Sequence, residues 1–536
     1  MIMSGMEQQV LGSVLDTTGA RAICRLSLAT LARARTLAEQ DHPAAVSIGG
    51  IVKIAVSGRL LFGTLSELTA DRADPDSVIA EVEYMGEGPC GPDGDVVSFQ
   101  RGLSLYPQPG DLLRFASSAD LRCIFAPPDL PHIQIGTVYP TQDVRAPILF
   151  DMLMGRHFAV LGASGTGKST TVTLLLDRII NQAPHGHIVI LDPHGEYARA
   201  FGSAAQVWDV GNLQLPYWAM NLEEHCEAFI TSGADDRAVD AGIIAKCLLK
   251  ARQRNIHVGD TSKITADSPV SYQLANLLGA LEEEAGRLEK LADSHRYTQL
   301  RLTIEQFFHD RRYRFVFNRD YANNSLERLL GELLRIPAAG KPISIIDLAG
   351  VPTEIINVVV STLCRLILDY AIWAPRERRK PVLLVCEEAH RYMPRVRSPA
   401  TRSVERQLER IAREGRKYGV CLGMITQRPS ELSETALSQC GTIISMRLNN
   451  LNDHAQLRAS LSEGARGYVD IIATLKNREC IISGDGVPVP MRVLIDTIAE
   501  DRKPASDDPV FSLGWSDDAG AAELLADTVG RWREEG

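Results

Sequence analysis

Residues Gly162 to Thr170, GASGTGKST, carry the pattern G-x-x-x-x-G-K-S between an apolar run, HFAVL, and a helix-forming run, TVTLLLDRII. In a strand–loop–helix setting, glycines let backbone N–H groups turn inward around phosphate oxygens. Gly162, Ala163, Ser164, Gly165, Thr166 and Gly167 would form that cradle. Lys168 would bring a point charge to the β and γ phosphates, the Ser169 hydroxyl would complete a magnesium shell, and Thr170 closes the motif. The chemistry is that of a P-loop nucleoside triphosphatase, with ATP and Mg2+ as its expected ligands.

Hydrolysis needs carboxylates at the end of a neighbouring strand. PVLLVCEEAH supplies Glu387 and Glu388 directly behind a mostly branched apolar run. Glu387 takes the position that assists the magnesium, and Glu388 the one that polarises the attacking water. ITQRPS places Gln427 at the end of a further strand, where its amide would contact the γ-phosphate or the lytic water. VILDPHGEY ends another strand with Asp192 and, beyond it, Glu196. These two carboxylates either join the magnesium and water network or hold the adjacent loop by capping.

The elements that must position these groups follow from the hydrophobic pattern. The chain has 536 residues, 45% hydrophobic and 23% charged, enough for about three domains with sizeable cores. Residues 1–130 show short alternating runs such as SIGGIVKIAVSG and VIAEVEYMGEG, punctuated by glycine, proline and aspartate. That pattern predicts a small antiparallel β-barrel. Residues 131–155, including PPDLPHIQIGTVYP in part, are expected to be an extended, proline-stiffened linker. From Arg156 the runs HFAVLG, HIVILD, PISIIDL, PVLLVCEE, GVCLGMITQ and TIISMRL lack alternation, as central parallel strands do. Helix-period segments separate most of them, so the fold class is α/β, a RecA-like core over 156–220 and 341–498. Residues 221–340 interrupt it; Leu274, Leu278, Leu281, Leu288 and Leu291 recur at helical spacing, with Glu282, Glu283 and Glu284 between, predicting an inserted helical bundle. Residues 499–536 form an acidic tail ending in an amphipathic helix that would brace a neighbouring subunit or cap its own domain.

Ten scattered cysteines without a C-x-x-C pair argue against a disulfide framework or a zinc cage and fit a reducing compartment. MIMSGMEQQV has no signal-peptide pattern, and the apolar stretch from Ile355 to Trp373 is broken by Arg365 and Asp369. A buried amphipathic helix, no membrane association and a cytoplasmic location are therefore expected. The formal net charge of −10 disfavours a protein that coats nucleic acid but is compatible with a ring whose basic groups line only a pore.

The P-loop, LDPHGEY, LPYWAMN, ISIIDLAGVPTEIINVVVSTLCRLILDY, EEAHRYMP, AREGRKYGV and TQRPS occur in that order. Together they resemble the HerA/FtsK branch of hexameric DNA translocases, and HerA in particular, over about Arg156 to Ile498. The N-terminal barrel resembles the one that precedes the ATPase in HerA proteins. Glu387–Glu388 departs from the commoner Asp–Glu pair in a way that HerA relatives share.

The resemblance implies a homohexameric ring that hydrolyses ATP between subunits and moves along double-stranded DNA. Such rings need an arginine reaching into the neighbour's site. Arg156, in GRHFAVLG, is the favoured trans-acting finger, and Arg413, in IAREGRKYG, the second phosphate or interface sensor. The alternative for Arg413 is a surface pair with Glu409, four residues earlier on the same helix. Arg391, Arg395, Arg397 and Arg402, in RYMPRVRSPATR, would either track DNA phosphates in a central channel or lie on a solvated outer loop. With no nuclease constellation in the chain, an effector would be a separate protein, a NurA-like nuclease, a sirtuin-like NADase or another antiphage nuclease, docked on the barrel. A competing function is a ring scaffold that assembles and activates such an effector under ATP control. A conjugation or packaging coupling ATPase would share the core but would commonly bring a membrane anchor.

Overall fold

The computed structural model describes residues 10–33, 48–139, 141, 143–231, 233–255, 260–287, 291–323, 325–396, 401–461, 463–505, 511–516 and 521–535. The chain divides into two compact units, the first comprising Met1–Pro184, Glu388–Arg391 and Cys421–Glu500, the second His185–Glu387, Tyr392–Val420 and Asp501–Gly536.

The first unit opens with the expected barrel. Its strands are β1 (Val10–Thr17), β2 (Arg21–Ser27), β3 (Ile51–Val56), β4 (Arg59–Ala70), β5 (Ser77–Pro89), β6 (Gln100–Arg101) and β7 (Leu112–Phe115). They run in the order β2-β1-β7-β3-β4-β5-β6, and pairing of β2 with β5 closes six of them into a ring. Alternation decides which side chains face inward. Along β2, Ala22, Cys24 and Leu26 are buried while the intervening residues are partly or fully exposed. Leu11, Val14, Val52, Ile54, Leu61, Leu65, Val82 and Leu113 complete the interior.

The same unit holds β8 (His132–Val138), β9 (Arg145–Leu149), β10 (Phe158–Leu161), β15 (Val420–Thr426), β16 (Thr442–Ser445), β17 (Glu479–Gly484) and β18 (Met491–Ile495), ordered β15-β10-β16-β17-β18-β8-β9. Here the reading of 131–155 as a linker is corrected. β8 pairs antiparallel with both β9 and β18. Ile133 and Ile135 are buried and Gln134 between them is exposed, the period of a half-buried strand. Pro131 and Pro140 flank that strand and do not interrupt it, so they leave its ladder intact. β10 lies parallel between β15 and β16, all of its side chains buried. Helix α1 (Lys168–Gln182) follows it and packs its Leu175, Leu176 and Ile179 side on β8 and β10.

The second unit has β11 (Ile188–Asp192), β12 (Ala205–Trp208), β13 (Ile343–Asp347) and β14 (Val382–Cys386), in the parallel order β12-β13-β11-β14. Between β12 and β13 the chain forms α2 (Leu222–Phe229), α3 (Ala234–Gln253), α4 (Leu274–Gly286), α5 (Leu291–His309) and α6 (Leu326–Leu334). Leu274, Leu277, Ala280 and Leu281 are the buried face of α4, whereas Leu278 is only half-buried; Leu288 lies outside the described residues. Phe229, Phe307, Phe308, Tyr313 and Phe317 form a contiguous aromatic cluster that ties α2 and α5 to the segment after them.

α7 (Ile356–Trp373) and α8 (Arg402–Tyr418) pack on each other. α7 is long and apolar enough to cross a membrane, but 67% of it is buried inside the unit. Arg365, which breaks its apolar run, is itself buried and grips Glu224 of α2 at two points, each 2.9 Å. In the tail, α9 (Ala521–Glu535) is amphipathic as expected and leaves Leu524, Leu525 and Trp532 exposed.

Candidate functional site

In the first unit β10 delivers the chain into the loop from Gly162 to Gly167. Gly162 donates its N–H to the Thr426 carbonyl and Ala163 donates to that of Arg447, so both neighbouring strand ends pin the loop. Gly165 and Gly167 have φ of 74° and 95°, the left-handed region that glycine enters without steric cost. Gly167 is also the N-terminal cap of α1. As a glycine it offers no side chain to the first helical amides, which leaves that helix end facing the loop as an anion site. Lys168 is 8% exposed, Ser169 and Thr170 are half-buried in the first turn, and Thr171 bonds back to the Gly167 carbonyl through both N–H and hydroxyl, each 2.9 Å. The backbone conformation, the buried lysine and the helix terminus fit a nucleotide's phosphates.

Glu388, also in this unit, is buried and sits at φ 50°, uncommon for a side chain other than glycine. Such strain persists only where the surroundings over-determine it. The turn closes with the Arg391 N–H donating to the Glu388 carbonyl at 2.9 Å. Glu388 Oε2 lies 3.1 Å from Nδ1 of His390, and that nitrogen is 3.0 Å from the Thr426 hydroxyl. Gln427 follows β15 at once. With Ala163, Ser164, Arg428, Asn449 and Asp453 it lines a cleft of about 350 Å³. Since Leu161 pairs with Thr426 in the sheet, the phosphate loop and Gln427 emerge at one set of strand ends, where the Thr426 hydroxyl also meets His390 beside Glu388.

The second unit carries the other acids. Glu387 is buried and accepts a 2.7 Å hydrogen bond from the Tyr197 hydroxyl. Tyr197 is fully buried, and burial together with the adjacent Glu387 carboxylate pushes its hydroxyl pKa well up. Asp192, at the end of β11, accepts from the backbone N–H of Tyr197 at 2.9 Å and of His194 at 3.3 Å. Burial raises its carboxyl pKa, those amides pull the other way, and Asp347 on the paired strand adds to the rise. Of the two roles open to Asp192 in the sequence, its hydrogen bonds are those of a cap on the loop 192–197.

The arginines fall at separate places. Arg156 precedes β10 and ion-pairs with Asp485, both side chains 44% exposed. One full strand, roughly 13 Å at about 3.3 Å per residue, separates it from the P-loop of its own chain. Arg413, on α8, pairs with Glu409 one turn earlier at 3.2 Å and is 57% exposed. Arg391, Arg395 and Arg402 are exposed; Arg397 lies outside the described residues.

Four residues at the site carried no role in the sequence. Tyr197 was visible only as the last letter of LDPHGEY. His390 stands two residues behind the acidic pair, and Thr426 directly before Gln427. Arg478, at φ 70°, donates its N–H to the Thr166 carbonyl at 3.3 Å and brings its Cγ within 3.9 Å of where a side chain on Gly167 would begin. No spacing rule points to it.

Fold and site together define a P-loop ATPase on an α/β sheet, preceded by a closed barrel. A family model described as "Helicase HerA, central domain" matches residues 133–367. The DNA double-strand break repair helicase HerA of Pyrococcus furiosus is 26% identical over 83% of this chain and 86% of its own length. That of Sulfolobus acidocaldarius is 27% identical over 80% and 81%. Among solved structures, VirB4 of Thermoanaerobacter pseudethanolicus aligns with a TM-score of 0.49 at 14% identity, covering 70% of this chain and 98% of that one. Over residues 133–367 the chain is thus similar to the HerA central domain, and at 26–27% identity it is similar to HerA helicases along most of its length.

Proposed function

We propose that the chain is an ATP-driven motor that moves along double-stranded DNA as a homohexameric ring and works with a separate effector. The observation that carries this is the meeting, at the strand end of Thr426, of a left-handed glycine loop leading into buried Lys168 and, through His390, a buried, strained Glu388. The similarity to DNA double-strand break repair helicases supports DNA as the track.

ATP is the substrate, and Mg2+ held by Ser169 and Glu387 would neutralise charge on its β and γ phosphates. Lys168 and the amides of Gly162 to Gly167 hold those phosphates, and Glu388 orients the water that attacks in line. Gln427, flanking the loop, senses whether the terminal phosphate is present. Asp192 shapes the loop that carries Tyr197 to Glu387. Arg156 is too far from its own P-loop to serve it, which supports a role on the neighbouring subunit. Its pair with Asp485 is half exposed, so letting go of it costs little, about 0–1 kcal/mol. Arg413 serves as the interface sensor once it leaves Glu409. Exposed Arg391, Arg395 and Arg402 contact DNA phosphates. Residues 221–340 form a helical bundle on the core, the exposed apolar face of α9 braces a neighbour, and the barrel is the docking surface for a nuclease or NADase effector.

Steady-state ATP hydrolysis is measured with and without linear double-stranded DNA, using E388Q and R156A as comparisons. DNA stimulation with both variants inactive supports a motor with a shared site. Hydrolysis indifferent to DNA replaces the motor with an ATP-controlled scaffold, and an active R156A removes Arg156 as the trans-acting group and moves attention to Arg413.

A further inference from the structure

Thr426 holds three things at once. Its carbonyl accepts the Gly162 N–H at the mouth of the phosphate loop, at 3.3 Å. Its hydroxyl, on a fully buried side chain, accepts the Arg428 N–H at 3.0 Å and meets His390 Nδ1 at 3.0 Å. Its peptide continues into Gln427. His390 in turn brings Nδ1 to 3.1 Å from Glu388 Oε2, and its side chain is only 13% exposed. A carboxylate that must polarise one water has to be held in place, because a displacement of about 1 Å can cost on the order of a hundredfold in rate.

We propose that His390 is a positioning residue for Glu388, and that Thr426 sets His390, so that Glu388 is registered to the strand end carrying Gln427. This rests on Glu388 being the hydrolytic carboxylate. With hydrogen on Nδ1 the ring donates to the Thr426 hydroxyl oxygen and holds the same polar N–H edge 3.1 Å from Glu388 Oε2, a close electrostatic contact that favours one rotation of the carboxylate. The Thr426 hydroxyl fixes the ring, because its own place is set by the Arg428 amide. Any shift of the Thr426–Gln427 segment, which borders the P-loop cleft, is thereby passed to Glu388 through one imidazole. His390 touches neither substrate nor metal in this scheme; its effect is on the geometry of hydrolysis and not on nucleotide capture.

The test compares full-length native protein with E388Q, H390A, H390N, T426V, T426S and the double variant H390A/T426V. ATP hydrolysis is followed against ATP concentration with linear double-stranded DNA present, and nucleotide affinity is measured separately with a fluorescent ATP analogue. E388Q is expected to bind nucleotide and not hydrolyse it. H390A is expected to lose about tenfold or more in kcat, with KM and analogue affinity held within about twofold. Asn places an amide N–H where Nδ1 stands, so H390N is expected to recover most of the rate. T426V loses kcat in the same manner and T426S does not. The double variant falls no further than H390A, as members of one chain of contacts should. An H390A kcat within about twofold of native beside an inactive E388Q overturns the proposal while sparing the role of Glu388. So does a loss that H390N fails to recover, or H390A and T426V effects that multiply. If H390A is not recovered folded, T426V against T426S decides by the same criterion. An E388Q that hydrolyses normally overturns the role of Glu388 itself, and the proposal with it.

Discussion

Tyr197→Phe removes one hydroxyl from the site and almost nothing else. The ring is fully buried and stacks on Phe201 at 6.4 Å, packing that phenylalanine retains. What disappears is the 2.7 Å hydrogen bond to Glu387, a carboxylate only 4% exposed. A hydrogen bond to a charged acceptor is worth about 1.5–3 kcal/mol, and the buried carboxylate has no bulk water to replace it. For a unit of this size each kcal/mol lowers the midpoint of thermal unfolding by about 2–4 °C, so Y197F should melt roughly 3–12 °C below native.

If Glu387 also helps to hold Mg2+, the hydroxyl is the partner that orients a metal-side carboxylate, and loss of such a partner weakens metal affinity by about 10–100-fold. Titrating Mg2+ into the ATPase assay at fixed ATP should then show half-saturation shifted up by about tenfold or more, with the rate partly restored at high Mg2+. Two results would refute the reasoning in different ways. A lower melting point with unchanged Mg2+ dependence removes Glu387 from the metal shell. An unchanged melting point shows that the Tyr197–Glu387 contact contributes nothing to the fold.

Glu227 sits on α2 with its carboxyl pushed up to about 7, chiefly by burial, against the opposing hydrogen bond from Ser403. Its folded pKa exceeds the unfolded value of about 4.5, so the stability it adds is complete below pH 4.5 and lost as pH rises through 7. E227Q cannot ionise; its melting point relative to native should be higher at pH 8 than at pH 5, by an amount equivalent to about 1–3 kcal/mol after allowance for partial exposure. An equal difference at both pH values would sink the assignment. Arg365→Met leaves Glu224 fully buried without its guanidinium, and urea unfolding should register a loss of about 3–5 kcal/mol; a loss under about 1 kcal/mol would mean that the pair is not the clamp between α7 and α2.

Legibility tracked the distance over which each feature is encoded. The P-loop is written in consecutive residues because φ of 74° and 95° at Gly165 and Gly167 admits almost no other residue, and the lysine must start the helix. Glu387 and Glu388 were legible for the same reason, two acids directly behind a wholly buried strand. The local alternative for Arg413 was equally plain at a spacing of four, and the pair with Glu409 is present. The hairpin of β8 and β9 is in the sequence as well, in the alternation of HIQI, although the neighbouring prolines favour an extended linker. What a sequence window could not hold are the contacts fixed by strand order. Thr426 meets His390 because β15 lies beside β10 and the turn at Glu388 folds back onto it, and Asp485 meets Arg156 across more than three hundred residues of chain. Asp192 shows where the boundary falls. Its position at a strand end marks it as a site acid, yet whether it faces metal or loop is decided by the path of the next five residues. That path turns the amides of His194 and Tyr197 onto its carboxylate and delivers the Tyr197 hydroxyl to Glu387. Asp192 and Glu387 are therefore joined through one tyrosine, an arrangement that residue types alone do not specify.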